Sequence, residues 1–104
     1  MPEASEQRSY IRLKNGCELS YKYLDSEKIY HGVCTSISAA GIFFTTDHTI
    51  ESGKALEIHF TAKSLFTRAM TAFIEVVRST PLKKQLLKKQ LIEIDGTIKS
   101  IKAN

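Results

Sequence analysis

The sequence predicts an all-β fold: a small six-stranded antiparallel β-barrel behind a flexible N-terminal arm. Three observations predict it. Apolar and polar residues alternate with period two in several short stretches, which turns one face of each inward. Polar or glycine-containing turns separate those stretches, and no sustained helical spacing competes with them. Finally, 104 residues can bury one core with little surplus, and closing so short a sheet on itself removes its exposed edges.

The elements follow in order. Residues 1–7 are polar and acidic, contain Pro2, and read as the arm. The barrel is expected over residues 8–96, with 97–104 as a short tail. Arg8 to Lys14 is basic and holds Tyr10, Ile11 and Leu13 without a clean period, and Asn15-Gly16 punctuates it with a turn. Cys17, Leu19, Tyr21 and Tyr23 then alternate with Glu18, Ser20 and Lys22, a first clear strand. Asp25 to Lys28 is a polar connection. A second strand spans Ile29 to Ile37, with Ile29, His31, Val33, Thr35 and Ile37 on one face. Tyr30, Gly32, Cys34 and Ser36 fall on the other, and Gly32 suggests a bend or bulge.

Ser38 to Gly41 is a turn in which Gly41 can take a positive φ without steric cost. Gly41 to Thr46 is a third strand, and Asp47 to Lys54 a loop. Leu56, Ile58 and Phe60 mark a fourth strand, Leu65 to Arg78 a long β-rich segment, and Leu91 to Asp95 a last short strand closed by Gly96. Between them, Pro81 to Gln90 fits a short helix opened by Pro81 or a hairpin, and the β-rich neighbours favour the hairpin.

Composition narrows the function classes. With 42% hydrophobic and 25% charged residues the chain reads as an ordinary folded domain. It has no apolar run of membrane-spanning length and no secretion-signal pattern at its start, so a cytoplasmic location without membrane insertion is expected. Cys17 and Cys34 then read as reduced, half-buried thiols. The net charge of +4 arises entirely after residue 81, where six lysines face only Glu93 and Asp95. A solvated lysine face explains this cluster. A nucleic-acid polymer is a disfavoured partner, because single-strand sites interleave aromatics with basic residues and none lies between residues 74 and 104. His31, His48 and His59 are scattered, and the sequence holds no nucleophile triad, paired metal-ligand spacing or phosphate-cradling glycine loop. A non-enzyme without a cofactor is expected.

Two short patterns suggest what it does. Arg8-Ser9-Tyr10-Ile11-Arg12 spaces two arginines four apart, and Ser36-Ile37-Ser38-Ala39-Ala40-Gly41 places a small polar turn before Gly41-Ile42-Phe43-Phe44. Either is common alone. Together, in this order, they resemble the PilZ domain, a small bacterial β-barrel that binds cyclic di-GMP. That family uses an Arg-x-x-x-Arg segment and an Asp/Asn-x-Ser-x-x-Gly turn. Glu51-x-Gly53 and Val76-Val77-Arg78 are similar to its pattern too, so the likeness covers about residues 6 to 95.

The resemblance implies a ligand site of Arg8, Arg12, Ser36, Ser38 and Gly41, a cyclic di-GMP ligand, and an unidentified protein partner that reads the bound state. The chemistry fits: a guanidinium can pair bidentately with phosphate or with guanine O6 and N7, and can stack on a base. Ser36 and Ser38, two apart on one strand, are expected to turn their hydroxyls the same way. The departure is Ser36, where the family has Asp or Asn. A hydroxyl makes one contact where a carboxylate or amide makes two, which bears on affinity.

Overall fold

Alternation along the strands sets the inside of the barrel. The computed structural model describes residues 11–60, 70–86 and 89–103. These form β1 (Ile11–Tyr23), β2 (Tyr30–Ile37), β3 (Gly41–Thr46), β4 (Ala55–Phe60), β5 (Met70–Leu86) and β6 (Lys89–Ala103). Every pairing is antiparallel, and the order β1-β2-β3-β6-β5-β4 closes when β4 pairs with β1. The all-β barrel expected from the sequence is the fold observed.

The core is the inward row of each strand: Cys17, Leu19 and Tyr21; Cys34 and Ile37; Ile42 and Phe44; Leu56, Ile58 and Phe60; Ala72, Ile74 and Val76; Ile92 and Ile94. Ile50, from the loop after β3, joins this core, and its backbone is tied to β5 through Ser79 Oγ. Fully burying a side chain such as Ile58 or Phe44 contributes about 1.5–3 kcal/mol. Tyr21 is wholly buried, and its hydroxyl lies 2.9 Å from Thr46 Oγ1 and 3.0 Å from His48 Nε2. Burial pushes this phenol well above its ordinary range.

Three features of the register each correct or settle an expectation. First, residues 13–16 of β1 face only Thr35 of β2, between the paired positions Arg12↔Ser36 and Cys17↔Cys34. The Asn15-Gly16 turn is thus a wide bulge inside a continuous strand, with Gly16 at φ 75°. Second, β2 bulges between Cys34 and Ser36 rather than at Gly32. The bulge turns Ile37 inward on the same side as Cys34, so the period-two faces written for this strand hold only up to residue 34. Gly32 serves close packing instead: a Cβ there would meet Thr45 O at 2.7 Å. Third, Leu82 pairs with Leu91 and Leu86 with Lys89, so residues 81–86 and 89–90 belong to a hairpin and not to a helix; 87–88 lie outside the described residues. Pro81 holds a register position opposite Ile92.

This hairpin makes the last strand longer than expected. β6 continues past Gly96 to Ala103, pairing with β5 as far as Met70. Conversely, β5 pairs with β4 only over Met70–Glu75, and β6 with β3 only over Ile92–Thr97. The two strands therefore run on together past the barrel as a ribbon.

Candidate ligand-binding site

The register brings the two sequence patterns side by side. Arg12 is the Cα partner of Ser36, Ser36 of Phe43, Phe43 of Asp95, and Asp95 of Arg78. One row thus crosses β1, β2, β3, β6 and β5. The neighbouring row, Ile37, Ile42, Gly96 and Val76, is buried. Adjacent rows point to opposite faces of a sheet, which sets Ser36, Phe43, Asp95 and Arg78 on the outside. All four are exposed or half-buried.

Each predicted site residue has a definite standing. Arg8 lies outside the described residues. Arg12 is described through its backbone, which is already a paired part of β1 and not a free arm. Ser36 is half-buried near the end of β2. Ser38 lies beyond that strand, buried at 9% exposure, and its Oγ accepts the N–H groups of Ala40 and Gly41 at 3.2 Å each. This serine therefore builds the turn, as small hydroxyl residues do. With both N–H groups accepted, the group it retains for a ligand is its single O–H proton. Further bonds pin the turn, Ser38 N–H to Gly41 O at 2.9 Å and Ile98 N–H to Ala40 O at 2.9 Å. Gly41 opens β3, and the positive φ expected there occurs instead at Gly16 and at Gly53 (φ 91°).

Three residues that sequence reading did not assign belong to the same face. Phe43 is half-buried and stands between Ser36 and Asp95 in the row. Arg78 adds a guanidinium, held 3.5 Å from Asp95 Oδ2 and 69% exposed. Asp95 is the one acid in the row, and it repels an approaching anion. Their only sequence signal was Val76-Val77-Arg78 in a late strand, and their adjacency depends on a register that spacing does not reveal.

Elsewhere, two features bear on chemistry. The scattered histidines conceal one ordered chain: Glu57 Oε2 lies 2.6 Å from His59 Nε2, and His59 Nδ1 3.1 Å from Thr71 Oγ1. Thr71 is only 6% exposed, and Glu57 also pairs with Lys22 at 3.9 Å. The chain thus braces β1, β4 and β5 rather than presenting a nucleophile. At the far end of β2, a groove of about 600 Å³ is lined by Glu18, Ser20, His31, Val33, Thr45 and Asp47 among others, and excludes Ser36, Ser38 and Gly41. Among the described residues, no cluster of three His, Cys, Asp or Glu is placed to hold a metal ion, and no helix is long and apolar enough to cross a membrane.

No curated protein and no solved structure matches the chain. The PilZ domain model matches residues 6–104, nearly the whole length. A closed six-stranded barrel in which Arg12 is paired with Ser36 belongs with that match: the chain is a member of the PilZ domain family.

Proposed function

We propose that this PilZ domain is a cyclic di-GMP receptor module in which Arg8 and Arg12 grip the ligand against the Ser36–Gly41 turn. PilZ domains are generally cyclic di-GMP-binding modules. The observation that carries the reading here is the pairing of Arg12 with Ser36, which joins the two motif halves without any rearrangement of the sheet. Ser36, the O–H of Ser38 and the backbone around Gly41 form the turn side. The arginines supply the forked donors for phosphate and guanine, each charge-assisted hydrogen bond contributing about 1.5–3 kcal/mol when desolvated. Four or five such bonds, less the entropy of ordering the residues ahead of β1, correspond to micromolar to sub-micromolar binding. The ordered segment changes the surface beside β1, and a protein partner in the cytoplasm reads it. The protein itself performs no catalysis.

Isothermal titration with cyclic di-GMP tests this. Heat with one saturable transition is expected, weakened in both Arg8→Ala and Arg12→Ala. No heat at tens of micromolar protein, or affinities untouched in both variants, sinks the receptor reading. Ser36 in place of Asp or Asn favours one alternative, a scaffold that acts only through protein–protein contacts in motility or pilus control. It is selected by a normally melting barrel without nucleotide response that still retains a defined partner.

A further inference from the structure

We propose that Cys17 and Cys34 are an oxidation site, closing a cross-strand disulfide that clamps β1 to β2 beside the arginine segment. The two residues are direct Cα partners in the antiparallel β1–β2 ladder. Directly opposed residues in such ladders sit about 4.5–5.5 Å apart at Cα, inside the range of about 4.4–6.8 Å that disulfides span. Both side chains turn to the same inward face, Cys17 at 4% and Cys34 at 0% exposure. No disulfide joins them in this structure. The Cys34 thiol donates to Ser36 O at 3.5 Å, so it is aimed along the strand toward the candidate site. Burial first, and the neighbouring Cys17 second, push the Cys34 thiol up to about 12.

The surroundings assign the two thiols different parts. Cys17 ends the wide bulge of β1, where four residues face one and Gly16 stands at positive φ. Opening there breaks few ladder bonds, so Cys17 is the sulfur a peroxide reaches. Its thiolate attacks hydrogen peroxide, breaking the O–O bond to give Cys17 sulfenic acid and hydroxide, which takes up the proton released from the thiol. The Cys34 sulfur then displaces the hydroxyl from the sulfenic sulfur, forming the S–S bond and releasing a second water. Two thiols are oxidised by two electrons, and one peroxide is reduced to two waters. Cys34, at 0% exposure, is the less accessible of the two and acts as the resolving partner once Cys17 is oxidised.

The bond lies at the foot of two bulges, residues 13–16 of β1 and Thr35 of β2, both of which fall between it and the Arg12↔Ser36 pair. It therefore fixes the hinge on which the arginine segment sits. This last consequence rests on the receptor reading; bond formation does not.

The test treats the folded protein with hydrogen peroxide, then denatures it in the presence of a maleimide. Expected are loss of both reactive thiols, a mass lower by two hydrogens, a Cys17–Cys34 peptide on non-reducing mapping, and full reversal by a reductant. Exchange of the amides over residues 11–19 should slow by about tenfold in the oxidised form. Cys34→Ser should stop at the sulfenic acid of Cys17, trapped by dimedone. Two reactive thiols after treatment, over-oxidation of Cys17 without a bond, or a bond only between chains would each overturn the proposal. Cyclic di-GMP titration of both forms separates the two ideas. A mapped bond with no nucleotide response in either form removes the receptor reading and leaves the oxidation site; nucleotide binding with no bond does the reverse.

Discussion

At the residue scale, the outer row holds both the promise and the weakness of the site. In the proposed reading Arg12, the register partner of Ser36, attracts the ligand, and Asp95, two strands from Ser36 and three from Arg12, opposes it. Arg78 is largely solvent-exposed and Asp95 half-buried, so their pair adds little to stability, at most about 1 kcal/mol. Its importance is electrostatic. Asp95→Asn releases Arg78 and removes the repelling charge, and should tighten cyclic di-GMP binding by about threefold at low salt, less as salt rises. Arg78→Ala should weaken it while leaving the melting temperature nearly unchanged. Arg12→Ala should cost at least about tenfold in affinity, the loss of one charge-assisted contact. Titration calorimetry of the three variants beside the parent checks all of these, and a tighter Arg78→Ala or a weaker Asp95→Asn would contradict the row as a ligand surface.

Among the elements, β2 carries the most conditions. Its Gly32 permits close approach to β3, and a Cβ there would meet Thr45 O, a backbone atom that cannot swing aside. Gly32→Ala should therefore destabilise the barrel by about 1–3 kcal/mol. Gly96→Ala meets the tip of Ile74 instead, at 2.6 Å from Cδ1, and should cost less because a side chain can turn. Urea unfolding of both variants measures the difference, and equal costs would refute the distinction. This strand also shows what sequence reading can reach. Period-two alternation found β1 after Cys17 and all of β4, because each has one dry and one wet face. It missed the bulge at Thr35, since nothing local to Cys34-Thr35-Ser36 says that the partner strand skips a residue. For the same reason Arg8, Arg12 and the turn were legible as motifs, whereas Phe43, Asp95 and Arg78 were not. Their common row exists only once four pairings are known. The 81–90 segment stayed open because its lysines and leucines satisfy helix and hairpin spacing alike, and long-range pairing decided it.

For the whole molecule, the buried ionisable groups define a pH limit. Cys34 ordinarily titrates at 9.0 and is pushed up to about 12 by burial, and Tyr21, ordinarily at 10.0, is raised in the same sense by its own burial. Both are kept neutral by folding. Their stabilisation is therefore complete below about pH 9 and is lost as the pH rises through the folded values, because only the unfolded chain can ionise there. Urea midpoints should stay level up to about pH 9 and fall steeply toward pH 12, and Cys34→Ala should begin its decline nearer pH 10. A midpoint that rises over this interval would show that neither group is buried as described.

The β5–β6 ribbon has one more consequence, for the molecule's behaviour in company. A closed barrel offers no template to its neighbours, but two strands that outrun it do: β6 pairs with one edge of residues 80–86, and among the described residues no strand pairs with the other. The sequence places Lys83, Lys84, Lys88 and Lys89 along this stretch, and like charges keep two such ribbons from zipping together. The solvated lysine face thus doubles as a guard against clumping, and erasing those four charges by acetylation should raise self-association, read as increased light scattering.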